Sequence, residues 1–393
     1  MIHQFDEFKI DVERLELWCG SEVCSVEPQV FSLLVYLIEN RDRVISKDEL
    51  MEAVWHGRIV SDATLNSRIN AARTALGDNG KEQTVIRTLP RRGYRFVAEI
   101  ASGGVARVEP IDTKISQTVR FCTAVDGIQI AYASAGNGPP LVKAPNWMHH
   151  LEYDWESPVW GHLLRAFAQT HTLVRFDQRG NGLSDWDVPE FTFDSMIDDM
   201  ASVVDAVGLE RFPLLGISQG CSYSIAYAIR YPEKVSHLVL YGGFAKGLMQ
   251  TGKEEDRQYA TLGKQMIQQG WGQDNPAFRQ FFTTQFMPDA SKEQMDWFNE
   301  LQRITTSPEN AVRLRDVSVN VDVSDLLDRI TVPTLVLHCK EDGIVPFEAG
   351  RRMAAKIPNA SFVALEGKNH LILEDEPAWP RFLEAVQNFL ANN

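Results

Sequence analysis

The spacing of apolar positions changes along this chain, and the changes divide it. Residues 8–11 and 14–18 alternate apolar with polar side chains, which predicts short strands joined by turns in a small N-terminal sheet. Glu27-Pro28 then opens a helix through Phe31, Leu34 and Ile38, with proline in the first turn, where its missing N–H costs nothing. Ser46-Lys47-Asp48-Glu49 has the form of a capping box ahead of Leu50, Val54 and Trp55. Asp62 is suited to cap a third helix. There Leu65, Ile69, Ala72 and Leu76 recur at helical spacing as a buried face. Ser67, Asn70 and Thr74 lie opposite, flanked by Asn66, Arg68 and Arg73. After Gly80 the period falls to two: residues 84–88 and 94–97 predict a hairpin around Leu89-Pro90-Arg91-Arg92-Gly93.

Residues 101–117 have a linker's composition, opening on Ala101-Ser102-Gly103-Gly104-Val105. Beyond them short apolar runs alternate with helical stretches. Residues 119–123 and 128–132 predict an opening hairpin around Asp126-Gly127, and 140–144, 171–176, 212–215, 236–241, 334–339 and 361–365 predict further strands. Strands alternating with helices imply a mostly parallel sheet covered on both faces. From Gly243 to about Val323 the strand pattern stops. Met266, Trp271, Phe278, Phe281, Phe282, Phe286, Met287, Trp297 and Phe298 make that segment helical and too apolar to lie wholly in solvent.

Composition narrows the class. At 393 residues, 44% hydrophobic and 23% charged, the chain can bury cores in two or three domains. No apolar run reaches the roughly 18 residues of a membrane span, residues 1–6 do not read as a signal peptide, and a cytoplasmic location is expected. Cys19, Cys24, Cys122, Cys221 and Cys339 form neither a disulfide framework nor a zinc pattern. The net charge of -14 argues against a general polyanion binder. Residues 58–95 reverse it locally: Arg58, Arg68, Arg73, Lys81, Arg87, Arg91, Arg92 and Arg95 stand against Asp62, Asp78 and Glu82. A polar helix followed by an Arg-tipped hairpin suits a helix in the major groove of DNA with a wing beside phosphate or minor groove.

Gly216-Ile217-Ser218-Gln219-Gly220 fits the G-x-S-x-G nucleophile elbow, a strand-to-helix turn that exposes a serine hydroxyl. An apolar strand precedes it and a helix rich in small residues follows. Asp342 comes after the strand at 334–339 and His370 after the strand at 361–365. Ser218, Asp342 and His370 thus follow the chain order of a Ser-Asp-His triad, each on a loop after a strand.

Residues 118–393 resemble the α/β-hydrolase fold through that elbow, the triad order and Arg175-Phe176-Asp177-Gln178-Arg179-Gly180-Asn181-Gly182-Leu183-Ser184-Asp185. The resemblance implies an oxyanion hole from the backbone N–H groups of Gln219 and Trp147, although Pro145-Asn146-Trp147 stands where many relatives carry His-Gly. It also implies a helical cap over about 244–323, with Asn146, Trp147, Phe281, Phe282, Phe286 and Trp297 as expected pocket residues. His149 and His150 are adjacent and read as pocket or surface residues, so neither metal nor cofactor is expected.

Residues 1–100 resemble the winged-helix DNA-binding domain of OmpR/PhoB-type response regulators, most specifically through Arg92-Gly93-Tyr94-Arg95-Phe96. This implies a recognition helix with Thr64, Ser67, Arg68 and Arg73 facing double-stranded DNA, Arg91 and Arg92 in the wing, and a homodimer. Ala71 falls where some relatives carry a base-contacting arginine. No receiver domain precedes the winged helix here, so receiver phosphorylation is not the expected input. The fold class expected is therefore α/β: an N-terminal winged helix-turn-helix (α+β), then an α/β-hydrolase domain with a helical cap. Two functions remain open: a one-component regulator whose second domain senses, or also hydrolyses, a small apolar, aromatic or acyl molecule, and a serine hydrolase for an ester, lactone, amide or C–C bond with an accessory winged helix.

Overall fold

A computed structural model of the chain describes residues 2–5, 8–11, 14, 16–20, 22–24, 26–41, 43–55, 62–78, 81, 83–89, 92–98 and 115–391. The chain divides into two compact units, Met1–Ile111 and Asp112–Asn393. The expected linker falls almost wholly outside the described residues, and strand structure resumes at Gln117.

The first unit opens with an antiparallel sheet in the order β1 (Ile2–Phe5), β2 (Phe8–Asp11), β3 (Glu16–Cys19) and β4 (Glu22–Cys24). Helices α1 (Pro28–Glu39), α2 (Lys47–Trp55) and α3 (Asp62–Ala75) follow, then a hairpin of β5 (Ile86–Leu89) and β6 (Gly93–Phe96). Phe5, Ile10, Leu17, Leu34, Leu37, Leu65, Ile69, Ala72 and Phe96 close one core among sheet, helices and hairpin. The capping box at α2 is only half made. Ser46 Oγ accepts the Glu49 N–H, but the Glu49 carboxylate accepts from Arg43 and Tyr36 instead. Gly93 is needed where it stands, because at φ +130° a Cβ there would lie 1.9 Å from the carbonyl oxygen of Ile45, which pairs with Tyr94 as a third strand position.

The second unit is built on an eight-stranded sheet. In chain order its strands are β7 (Gln117–Thr123), β8 (Gln129–Ala135), β9 (Pro140–Lys143), β10 (Thr172–Phe176), β11 (Phe212–Ile217), β12 (Val235–Tyr241), β13 (Thr334–Cys339) and β14 (Ser361–Leu365). Their spatial order is β14-β13-β12-β11-β9-β10-β8-β7, with β8 antiparallel to both β7 and β10 and the others parallel. Parallel strands covered on both faces become continuous apolar runs, and all six residues of β13 are buried. A short α4 (Leu151–Trp155) follows β9, and covering helices include α5 (Gly161–Ala168), α6 (Phe193–Val207), α7 (Gly220–Arg230), α12 (Phe347–Lys356) and α13 (Ala378–Ala391). Phe167 of α5 and Phe382 of α13 meet edge to face at 6.4 Å.

From β9 the chain steps to β10 on one side, then returns to place β11 on the other. Such a reversal leaves a crevice at the C-terminal ends of the two central strands, where ligands of open α/β sheets bind. Between β12 and β13 the chain leaves the sheet for α8 (Glu254–Gly270), α9 (Ala277–Phe286), α10 (Lys292–Thr305) and α11 (Pro308–Asn320). Trp271, Phe282, Phe286, Met287 and Phe298 are buried among them, whereas Phe278 remains 40% exposed.

Candidate active site and DNA interface

Ser218 ends the turn from β11 into α7 with φ +55°, the left-handed region that L residues other than Asn and Asp seldom occupy. Its N–H donates to Tyr241 O at 2.8 Å, and its carbonyl accepts from Cys221 N at 3.0 Å. Both flanking glycines are required by close approach. A Cβ on Gly216 would meet Ser224 Oγ at 2.7 Å, and one on Gly220 would meet Pro145 O at 2.7 Å. That second contact seats the loop after β9 against the start of α7.

The structure brings the three triad candidates together. His370 Nε2 lies 2.7 Å from Ser218 Oγ, and His370 Nδ1 lies 2.7 Å from Asp342 Oδ2. Asp342 Oδ1 accepts the N–H groups of Ile344 at 2.8 Å and Val345 at 3.0 Å. Burial alone would raise the Asp342 pKa. The neighbouring His370 and His338 and the Val345 N–H outweigh it and hold the carboxyl well below its usual range. An imidazole pinned by a carboxylate on one nitrogen can take the serine proton on the other as the oxygen attacks. Among the described residues no acceptor engages the N–H of Gln219 or of Trp147, the two donors flanking the serine.

Asn146 does not line the cavity. It is fully buried, its Oδ1 accepts from Lys143 Nζ at 2.5 Å, and its Nδ2 donates to Trp147 O at 3.1 Å, so it braces the loop from behind. Two ionisable groups are buried near it: burial lowers the Lys143 pKa and raises that of Asp154, each shift partly offset by the other group. His149 and His150 diverge. His149 Nε2 lies 3.0 Å from Phe176 O and burial pushes its pKa down to about 3, while His150 Nδ1 accepts from Tyr153 N at 3.3 Å. Among the described residues no cluster of His, Cys, Asp or Glu could hold a metal ion.

The segment 175–185 frames the site. Asp177 accepts the N–H of Leu151 at 3.0 Å and of Leu183 at 2.9 Å, and Arg179 makes two bonds to buried Asp199 at 2.6 and 2.8 Å. Gly182 donates to Thr305 O at 2.8 Å, which ties this loop to the end of α10.

Over Ser218 lies a cavity of about 490 Å³ walled by Trp147, Phe244, Leu248, Phe282 and Phe286, with Gln219 at its floor. Two expected pocket residues point elsewhere. Trp297 stacks on Tyr153 at 4.8 Å, and Phe281 packs edge-on against Phe282 at 5.4 Å, so both serve the helical segment's own packing. Arg315, Tyr259, Gln285 and Met353, none of them among the pocket residues expected from sequence, also line the cavity. Arg315 did leave a signal: it falls four residues after Ala311 and four before Val319, on a stripe that is otherwise buried and apolar.

In the first unit Ser67, Asn70 and Thr74 of α3 are exposed, and Thr64 and Arg68 are half-buried. Arg68 pairs with Glu27 at 2.6 Å. Arg73 departs from expectation. It is 5% exposed, and its guanidinium donates to Ile86 O at 3.1 and 2.7 Å and to Thr88 Oγ1 at 2.8 Å, joining α3 to the hairpin instead of facing outward. Arg92 is exposed at the hairpin turn, and Arg91 lies outside the described residues. Arg87 and Arg95, expected from sequence only as part of the local basic excess and given no DNA contact there, stand directly opposite each other across β5 and β6, both exposed. Like charges so placed repel unless an anion sits between them.

Comparison with known proteins agrees with both halves. Residues 147–377 match the family model of the alpha/beta hydrolase fold. The chain belongs to that family. Residues 21–96 match the model described as transcriptional regulatory protein, C terminal, so an OmpR/PhoB-type DNA-binding domain is fused to a hydrolase-fold domain. The chain is 29% identical to a pyrrolizixenacetamide deacetylase of Xenorhabdus hominickii over 68% of this chain and 96% of the relative. It is 24% identical to a putative carbamate hydrolase of Caulobacter vibrioides, over 59% of this chain and 84% of that one. Among solved structures it resembles an esterase from Exiguobacterium antarcticum with a TM-score of 0.60 at 24% identity, over 70% of this chain and 100% of the other. An esterase from a Rhodococcus species superposes with a TM-score of 0.57 at 25% identity, over 70% and 98%. Among the described residues no helix is long and apolar enough to cross a membrane.

Proposed function

We propose that this protein is a one-component transcriptional regulator whose hydrolase-fold domain binds and hydrolyses a small acyl molecule with an apolar body, and that the bound state changes how paired winged helices meet DNA. One observation carries the reading: an assembled Ser218, His370 and Asp342 relay opens into an apolar cavity on the same chain as a DNA-binding domain. In the reaction Ser218 Oγ bonds to the acyl carbon while His370 Nε2 takes its proton. The N–H groups of Gln219 and Trp147 hold the oxyanion, and the leaving group departs with the proton from His370. Water then repeats the sequence and frees the serine. Relatives named as a deacetylase, a carbamate hydrolase and an esterase support acyl hydrolysis.

On the DNA side, Thr64, Ser67 and Arg68 present α3 to the major groove, with a phosphate displacing Glu27 from Arg68. Arg92, with Arg87 and Arg95 behind it, meets the backbone beside the groove. A homodimer supplies the second half-site, in the cytoplasm where the DNA lies. Ligand acts only through differential affinity for two conformations. The second reading, a serine hydrolase that its winged helix merely localises, draws on the same relay. Intact mass after treatment with a fluorophosphonate tests the chemistry: one adduct on the native chain and none on Ser218→Ala or His370→Ala is expected, and no adduct on the native chain would remove hydrolysis from the proposal. A DNA response to ligand that persists in Ser218→Ala separates sensing from turnover, and a native chain whose DNA binding ignores every hydrolysed ester would favour the second reading.

A further inference from the structure

The cavity over Ser218 reverses the charge of the chain that builds it. Its walls carry Lys246, Lys253, Arg315, Arg352 and Lys356 against Asp256 and Glu348, on a chain of net charge -14. Four of these cations have carboxylates within reach: Lys246 with Asp322 at 3.1 Å, Lys253 with Glu255 at 3.7 Å, Arg352 with Glu348 at 3.9 Å and Lys356 with Asp325 at 3.9 Å. Arg315 differs. Among the described residues no hydrogen bond or ion pair reaches its guanidinium, and its Nε is buried without a partner. Asp316, next in the chain, is committed to Lys264 at 2.7 Å.

The fold makes room for this side chain. Gly263 of α8 faces it, and a Cβ there would lie 2.5 Å from an Arg315 terminal nitrogen. The guanidinium carbon lies 5.8 Å from the centre of the Phe282 ring. Burial lowers the Arg315 pKa, with Tyr259 and Asp316 opposing, yet arginine stays charged near neutral pH. A charge held in an apolar wall without a counter-ion is unfavourable until one arrives, and a planar guanidinium fits a carboxylate through two parallel bonds.

We propose that Arg315 is the carboxylate-binding, specificity-determining residue of this cavity, and that the ligand is an organic acid whose hydrolysable acyl carbon sits at Ser218 while a second, anionic end pairs with Arg315. Phe244, Phe282, Phe286 and Leu248 enclose the apolar span between the ends. This rests on the reading of Ser218 as nucleophile. With a half-ester of a dicarboxylic acid, the acyl carbon leaves its alcohol oxygen for Ser218 Oγ, His370 returns the proton to the alcohol, and water releases the free diacid.

The test uses the full chain and the mono-4-nitrophenyl esters of glutaric, adipic and suberic acids, each beside its methyl-capped twin. The readout is the ratio of kcat/KM for acid over capped ester. The native ratio is expected to exceed one by roughly 10- to 100-fold for at least one length, the gain of a charge-assisted pair. Arg315→Met should bring it to about one, with Arg315→Lys between. A native ratio at or below one for every length overturns the proposal before any variant is made, as does a ratio that survives in Arg315→Met. If the native chain turns over neither ester, the nucleophile reading fails and binding decides. Calorimetry of glutarate, adipate and suberate with Ser218→Ala should show binding that Arg315→Met abolishes, and absence of binding to Ser218→Ala would sink the carboxylate site itself.

Discussion

Replacing Arg73 by methionine separates a DNA contact from an internal strut. β5 and β6 pair antiparallel, with Val97 N donating to Val85 O, so the alternation of such ladders leaves Ile86 at a position whose N–H and C=O point away from β6. Asp78 Oδ2 accepts that N–H at 2.9 Å, and the Arg73 guanidinium donates to that carbonyl at 3.1 and 2.7 Å. Methionine keeps the apolar stem and removes the donors, which strands the Ile86 carbonyl without a partner. Losing charge-assisted bonds and leaving a buried carbonyl unpaired costs about 3 kcal/mol, roughly a 150-fold change in the folded fraction. For a unit of this size that is a fall in Tm of about 12–24 °C. Scanning calorimetry of the intact chain should show the transition of the first unit moved down by that amount and the hydrolase-fold transition in place. Below the new transition, the slope of log affinity against log salt for duplex DNA should match the native slope, whereas Arg92→Ala should lower it by about one. An Arg73→Met chain that melts like the native one but loses a unit of salt slope would refute the assignment and return Arg73 to the DNA face.

Two further perturbations reach the second unit. Gly220→Ala puts a Cβ 2.7 Å from Pro145 O, so the loop carrying Trp147 must move and the oxyanion loses a well-placed donor; kcat on a 4-nitrophenyl ester should fall about 100-fold in a folded protein, and a kcat within a few-fold of native would mean that Trp147 N–H is not used. Burial raises the Glu376 carboxyl to about 7 despite the Leu373 N–H and the Asn369 amide; a folded pKa above the unfolded one gives stability that is complete below pH 4.5 and lost as pH rises through 7. The Tm of Glu376→Gln relative to native should therefore rise between about pH 5 and about pH 8.5, and an equal difference at both would contradict the burial of that carboxyl.

The triad could be read from the chain because each member sits on a short loop after an apolar strand, and local pattern reports strands that are buried on both faces. The strain at Ser218 was implied by glycines whose absent side chains make the close approaches at Ser224 and Pro145. The cavity wall is not legible in the chain, because aromatic residues on three consecutive helices, α8 to α10, divide between roof and internal packing only once the helices have met. Phe282 and Phe286, four apart on α9, turn to the cavity while Phe281 and Trp297 turn to neighbours, and spacing alone does not say which helix face becomes the roof.

The two arginines make the sharper case. As a charged residue flanking Asn70 and Thr74, Arg73 reads as outward-facing, yet it also follows Ile69 by four residues and so shares the buried stripe. Arg315 shares a stripe with Ala311 and Val319 in the same way. A cation in an apolar stripe is too costly to leave alone, so its position implies an acceptor within reach without saying which. For Arg73 the acceptor is the carbonyl of Ile86, supplied by a strand thirteen residues on. For Arg315 none of the described residues supplies it, which leaves the place for the ligand carboxylate proposed above.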